Sequence, residues 1–421
     1  MKKWAILVII LAVSLGILFW KYFPLISKAG KVEIKQVTLT YWGLSEDEST
    51  MRPLISAFEN SHPNIKVNFE KQSALNYQTR TQTQIKSPGG PDIITIHESW
   101  MPEFLADLAS APDSVIPLSD YSQTFYPVAT DTLVSNNKIY ALPLEVDGLA
   151  LFYNEDILKA VGVKLPKTWQ EFINASRTLT VKSQDGQIQT AGASLGTTSN
   201  VDFWPEIIAL LFLQQPGGDL RAPASSAGVE IMQFYTGFVT DPQNKTWDVN
   251  LQSSTQMFAQ GKLAFYFAPS SQVSVIKGLN PNLNFKVAEV PQLPGKNIDL
   301  GSFWVKAVSN TSPNQTEAWE FLKFLAGADT MQAVNIGKPY SRVDLAGLQI
   351  NDPYLGAYVA EGPYYKAWYL NSGTGDLGIN EEMIKSYKES VNGILQGRDP
   401  MQMLQVTQTG VGQALGKYGV K

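Results

Sequence analysis

Along the first hundred residues, short apolar runs alternate with segments of helical period, and this alternation constrains the fold more than any other feature. Residues 37–42 (VTLTYW) are rich in the β-branched and aromatic side chains that suit a strand. Residues 48–60 place Met51, Leu54, Ile55 and Phe58 at helical spacing. A second strand is predicted over 65–69. A polar helix follows over 78–85, closed by Ser87-Pro88-Gly89-Gly90. Residues 92–96 then read as a third strand, short and apolar. A strand with no polar face must be covered on both sides, which is the condition inside an α/β sheet flanked by helices.

The same grammar runs on. A helix is predicted over 100–108 and a loop over 112–117. The stretch YALPLEVDGLALFYNEDIL at 140–158 holds a strand at 149–153 and a helix at 155–160. Helices follow at 169–179, 203–212, 227–238 and 253–260. Strands are expected at 262–267, with alternating character, and at 285–290. The helices 316–325, 329–335 and 381–395 close the chain. A single core stops growing near roughly 250–300 residues, and this chain has 421, so two α/β lobes are the simplest arrangement. The link LGSFWV at 300–305 is where the chain is expected to cross between them.

Composition removes whole classes of chemistry. With no cysteine there is no disulfide framework and no thiol nucleophile. His62 and His97 are the only histidines, too few for a histidine-rich zinc site, and His62 reads as a surface or capping residue. No metal or cofactor is expected. Thirty-three basic against thirty-eight acidic side chains give a net charge of −5, and no basic patch is interleaved with aromatics, so nucleic acid is not an expected partner. At the N-terminus Lys2 and Lys3 precede an apolar run from 4 to 20. It reads as a short membrane span with its positive end inside. The competing reading is a cleaved signal with Ser27-Lys28-Ala29 as its site. Either places the bulk of the chain outside the cell membrane, anchored there or secreted.

Ligands of open α/β sheets bind at the carboxyl ends of the strands. Trp42 with Gly43 ends the first strand, and His97-Glu98-Ser99-Trp100 follows the third, so all six are candidate ligand contacts. Ser99 has a second reading as a helix N-cap with Trp100 packed behind it. Glu145 and Asp147 flank an apolar strand. As an acid–base pair they would suit glycoside hydrolysis, but no second catalytic signature accompanies them. As hydrogen-bond acceptors they suit a polyhydroxyl ligand whose apolar faces stack on aromatics. The link 300–305 contributes Gly301, Ser302, Phe303 and Trp304, and one of its two aromatics must face the core. Trp204, Tyr340 and Trp368 are further cleft candidates. Arg342 either bridges the lobes or meets an anionic ligand. No basic cluster is seen near the cleft loops.

In order, VTLTYWG (37–43), FENSHPNIKVNFE (58–70), GGPDIITI (89–96), IYALPLEVDGLALFYNEDIL (139–158), LPKTWQEF (165–172), FAQGKLAFYF (258–267), GSFWV (301–305) and AWEFLKFL (318–325) resemble the extracellular solute-binding proteins of ABC transporters, in their maltose-binding-like sugar family. The resemblance covers nearly the whole chain after residue 36. It implies two Rossmann-like lobes joined by a hinge, the periplasmic-binding-protein-like (type II) α/β fold. The implied organisation is an anchor or signal segment with tether at 1–36, lobe one at 37–143 with a return segment at 299–337, and lobe two at 144–298 with a helical part at 338–421. It also implies a monomer, with no catalysis, that captures a sugar or oligosaccharide and hands it to permease subunits. Asp147, the loop after residue 96, and Trp42 with Gly43 match family positions that contact ligand. The family's lipid-bearing cysteine is missing, which suggests attachment through the N-terminal segment or release. A membrane-anchored sensory carbohydrate-binding module and a carbohydrate-active enzyme are the competing readings.

Overall fold

The computed structural model describes residues 36–420 apart from 335, 336 and 376, together with scattered helical positions between 4 and 21. The expected anchor therefore lies largely outside the described residues. Among those described, no helix is long and apolar enough to cross a membrane.

Val37–Gly43, Ile65–Lys71 and Ile93–His97 form parallel strands, with Val37–Gly43 in the middle. Glu48–Ser61 covers them with Met51, Ile55 and Phe58. Every residue of Ile93–His97 is buried, as an apolar run without alternation requires. Far along the chain, Trp304–Ser309 returns and inserts antiparallel beside Ile93–His97, carrying Leu108–Ala109 and Ala141–Pro143 on its other side. This sheet and its helices enclose one hydrophobic core.

The second sheet has the order Phe285–Ala288, Ala150–Asn154, Leu263–Ala268, Ile188–Ala193, Val181–Lys182. Its core draws on Trp169–Leu179, Trp204–Gln214, Ser226–Thr240, Ile379–Leu395 and Pro400–Lys417. The helix Trp169–Leu179 starts at a capping box, with Thr168 and Glu171 each satisfying the other's backbone N–H. Leu263–Ala268 is buried at all six positions. The alternation expected there fails because the strand lies between two neighbours and is covered on both faces. The helix expected over 100–108 is instead a run of short turns, Glu98–Trp100, Met101–Phe104 and Leu105–Asp107, ending in the strand Leu108–Ala109.

Three segments cross between the cores and bond to one another. Gly148 and Gly301 form an antiparallel bridge. Ser302 N–H donates to Asp147 O (2.8 Å), Leu149 N–H to Leu300 O (3.1 Å) and Gly301 N–H to Lys366 O (2.9 Å). A Cβ on Gly148 would lie 2.5 Å from Leu300 O and from the Tyr365 ring, so only glycine permits this approach. Leu345 and Tyr365 pack in the first core and Leu300 in the second. The chain thus leaves the first core for good well after residue 338.

Candidate functional site

The carboxyl ends of Val37–Gly43 and Ile93–His97 face the second sheet across a cleft. Because Trp304–Ser309 runs antiparallel to Ile93–His97, its first residue meets the other strand's last: Trp304 is paired with His97. Their rings meet edge to face at 5.2 Å, and Trp100 backs Trp304 in the same way at 5.2 Å. Between the lobes lies a cavity of about 290 Å³. His97, Glu145, Ser302, Trp304 and Lys338 line it from one side, Phe203, Glu206 and Ser271 from the other, and Asp147 from the crossover. A smaller cavity of about 180 Å³ adjoins it, sharing Trp304, Glu145 and Lys338 and adding Glu46 and Lys306.

The charges on the first lobe's side are paired. Lys338 Nζ lies 2.5 Å from Glu145 Oε2. Burial opposes the Lys338 charge, but the Glu145 carboxylate outweighs it and holds the amine above its usual value. Lys306 is ion-paired with Glu46 and donates to Thr95 Oγ1 at 3.0 Å. Burial would raise the Glu46 carboxyl, and Lys306 overrides this and holds it below the usual carboxylate range. Two lysines thus stand at the cleft where no basic cluster was expected, each next to a carboxylate.

The other titratable groups of the cavity form no ion pair with a lysine or arginine among the described residues. Burial pushes His97 down to about 3, so its imidazole is neutral. Nε2 lies 3.1 Å from Ser302 Oγ and Nδ1 lies 2.7 Å from Ser99 Oγ. Asp147 Oδ1 accepts from Gly148 N–H (2.8 Å) and Ser270 N–H (3.0 Å), and Oδ2 from Ser270 Oγ (2.6 Å). Burial still pushes its carboxyl up to about 6. Glu206 Oε1 accepts from Ser372 N–H (2.6 Å) and Oγ (2.8 Å), while Oε2 has no partner. Burial pushes that carboxyl up to about 7.

Of the sequence candidates, the cavity gathers His97, Glu145, Asp147, Ser302 and Trp304. The others stand elsewhere for identifiable reasons. Trp42 packs on the first core and donates its indole N–H to Glu70 (2.9 Å). Gly43 makes room for the Phe69 ring, which a Cβ would meet at 2.3 Å. Ser99 is buried, and its Oγ accepts from Asn380 Nδ2 (2.8 Å). His97, not Ser99, caps the turn that follows. Trp100 and Phe303 are core residues, each 1% exposed. Trp204 packs in the second core because the whole first turn of its helix is buried. Gly301 belongs to the crossover against Tyr365. Tyr340 forms a backbone bridge to Glu145 and packs on the first core. Arg342 is held by Asp344 (2.7 Å) and donates to Ala326 O (3.0 Å), all on one lobe. Glu98 and Trp368 line a different cavity of about 500 Å³.

Sequence reasoning missed Phe203, Glu206 and Lys338. Glu206 left a signal: it is the one charge in the apolar run WPEIIALLFL.

The model of the bacterial extracellular solute-binding proteins matches residues 42–332, well over half the chain. The chain belongs to that family. Among curated relatives of this solute-binding protein is the melibiose/raffinose/stachyose-binding protein MelE of Bacillus subtilis, 24% identical over 365 residues, which are 81% of this chain and 83% of MelE. Solved structures share the fold. The cyclic α-maltosyl-1,6-maltose binding protein of Arthrobacter globiformis superposes with a TM-score of 0.74 at 17% identity, over 91% of this chain and all of that one. A Thermotoga lettingae ABC transporter solute-binding protein bound with α-D-tagatose gives 0.70 at 20%, over 90% and 100%. The expected type II periplasmic-binding-protein fold is therefore the fold of this chain.

Proposed function

We propose that this protein is an extracytoplasmic receptor that captures a sugar or oligosaccharide between its lobes and delivers it to the permease of an ABC importer. One observation carries the reading: two partly exposed aromatic rings, Trp304 from the first lobe and Phe203 from the second, share a cavity with His97, Asp147, Glu145 and Glu206. Saccharides present apolar ring faces and hydroxyl edges, and this lining offers stacking surface and hydrogen-bonding groups together. The sugars named for MelE and for the two solved structures agree with that chemistry.

The way two of the cavity carboxyls are held supports binding without turnover. Glu145 is tied to Lys338, and both Asp147 oxygens already accept from Ser270. Both already have partners on the protein. The lobes also touch across the cleft. Ile379 N–H donates to Glu103 Oε1 (3.1 Å) and Leu377 N–H to Gln78 Oε1 (3.2 Å). A ligand that contacts both walls favours the arrangement in which they meet, by its differential affinity for that state, and the permease reads the paired faces. The test is a thermal-shift screen of the purified protein against raffinose, maltotetraose and monosaccharides, with chromatography of each mixture. A raised Tm with intact sugar is expected. Appearance of shorter saccharides would contradict the receptor reading.

A further inference from the structure

Glu206 is a carboxyl group in a place that does not suit a carboxylate. It is 6% exposed and stands in the first turn of Trp204–Gln214, a helix buried at nearly every position. Its Oε1 takes both donors of Ser372, and its Oε2 is buried with no hydrogen-bond partner among the described residues. None of the influences on its ionisation is a cation. An ionised carboxylate would leave a bare charged oxygen away from water. A neutral acid removes the conflict: Oε1 remains the acceptor for Ser372, the proton sits on Oε2, and one O–H is left to donate. Among the described residues no acceptor takes it, yet the residue lines the cavity.

We propose that Glu206 is a neutral carboxylic acid that donates a hydrogen bond to a hydroxyl or ether oxygen of the bound saccharide, making it a specificity-determining contact. The proposal rests on the saccharide reading above. A site that bonds each ligand oxygen rejects analogues lacking one, so a donor fixed here selects for an oxygen at that position of the sugar.

Burial pushes the carboxyl up to about 7 against the Ser372 donors and the backbone N–H groups of Glu206 and Gly373, which favour its charge. The neighbouring groups do not reverse this. Tyr266 on the adjacent strand is neutral, its phenol raised well above 10 by burial. Asp202 precedes the helix and accepts from Ser254 and Thr255. Across the cavity His97 is neutral, Lys338 is paired with Glu145, and Asp147 titrates lower, at about 6. Above about pH 7 Glu206 is therefore the cavity carboxyl whose proton is being lost.

The experiment is calorimetric titration of raffinose and maltotetraose into wild type, Glu206→Gln and Glu206→Ala at about pH 6, 7.5 and 9. It is paired with infrared spectra that read the carbonyl stretch of protonated carboxylic acids. Wild-type affinity should fall with rising pH, approaching about tenfold per unit above the carboxyl's pKa. Glu206→Gln, which carries a donor at every pH, should lose that alkaline fall, and Glu206→Ala should bind about tenfold more weakly than wild type near pH 6. The acid band at about pH 6 should weaken in Glu206→Gln. An identical pH profile in wild type and Glu206→Gln, or saccharide binding with no band lost, would overturn the neutral donor. Binding of neither saccharide with the band present would instead overturn the saccharide reading, and this contact with it.

Discussion

The two walls of the cleft handle buried acid in opposite ways. Where the first lobe lines the cleft, two carboxylates stand beside lysines, Glu46 with Lys306 and Glu145 with Lys338, while Glu98, behind the cleft, is buried without one. On the second lobe and the crossover, acids are buried without cations. Glu206 is one. Asp299 and Glu361 are another case, both fully packed and both raised by burial well above the carboxylate range. Each accepts one backbone N–H, Asp299 from Leu300 and Glu361 from Val290, both at 2.7 Å. Their other oxygens, Oδ2 and Oε2, have no further partner among the described residues, and each carboxyl acts on the other's ionisation. Burial penalises charge wherever it occurs; a cation within reach decides whether the site stays ionised or keeps its proton. One wall is thus fixed in charge, and the other can both donate and accept.

That contrast breaks most severely at Lys306. Replacing it with Met strands the buried Glu46 carboxyl without its cation, at a cost of roughly 3–5 kcal/mol, read by denaturant unfolding. Adding Glu46→Leu should recover most of the loss, because a buried pair exchanged for apolar groups is often nearly neutral.

Glu206 should behave the other way. Its folded-state value is raised from 4.5 to about 7, so between those values the folded protein binds more protons than the unfolded chain. Stability then falls as pH rises through that window and is level above it. Glu206→Gln escapes the loss. It should match wild type near about pH 4 and be more stable near about pH 8 by on the order of 3 kcal/mol, checked by urea melts at both pH values. A Glu206→Gln variant less stable than wild type at the higher pH would mean the acid there is ionised and paired.

A smaller effect, on affinity, is expected at Trp304. Trp304→Ala should weaken saccharide binding by roughly tenfold to a hundredfold, about 1–3 kcal/mol, for lost stacking area. The smallest change should come from Trp42→Phe. It removes the hydrogen bond to Glu70 for about 1 kcal/mol of stability and leaves affinity as it was, since that indole lies outside the cavity.

The architecture was legible because buried strands and amphipathic helices write their periods into the chain, as Ile93–His97 and Trp169–Leu179 do. Pro400–Lys417 was harder to read because Gly410, Gly412 and Gly416 lower its helix propensity and Thr407 breaks its buried face. Gly410 is where Ser386 of the neighbouring helix approaches, 2.4 Å from a hypothetical Cβ. At the site, strand ends pointed to His97 and to Trp304, whose antiparallel return brings it there. Large aromatics were poorer guides. Trp42, Trp100 and Trp204 have more to gain from core packing than from a ligand, and sequence does not show which face a ring turns. Lys306 and Glu46, separated by 260 positions, are joined only by the fold. Glu206 was visible as a lone charge in an apolar helix.

The most direct test of a saccharide receptor is calorimetric titration of the purified protein with raffinose and maltotetraose, run beside Trp304→Ala. The account predicts one-site binding with a Kd in the micromolar range or tighter for at least one of them, clearly weakened in the variant. No heat with either saccharide, or equal affinity in wild type and Trp304→Ala, would contradict it.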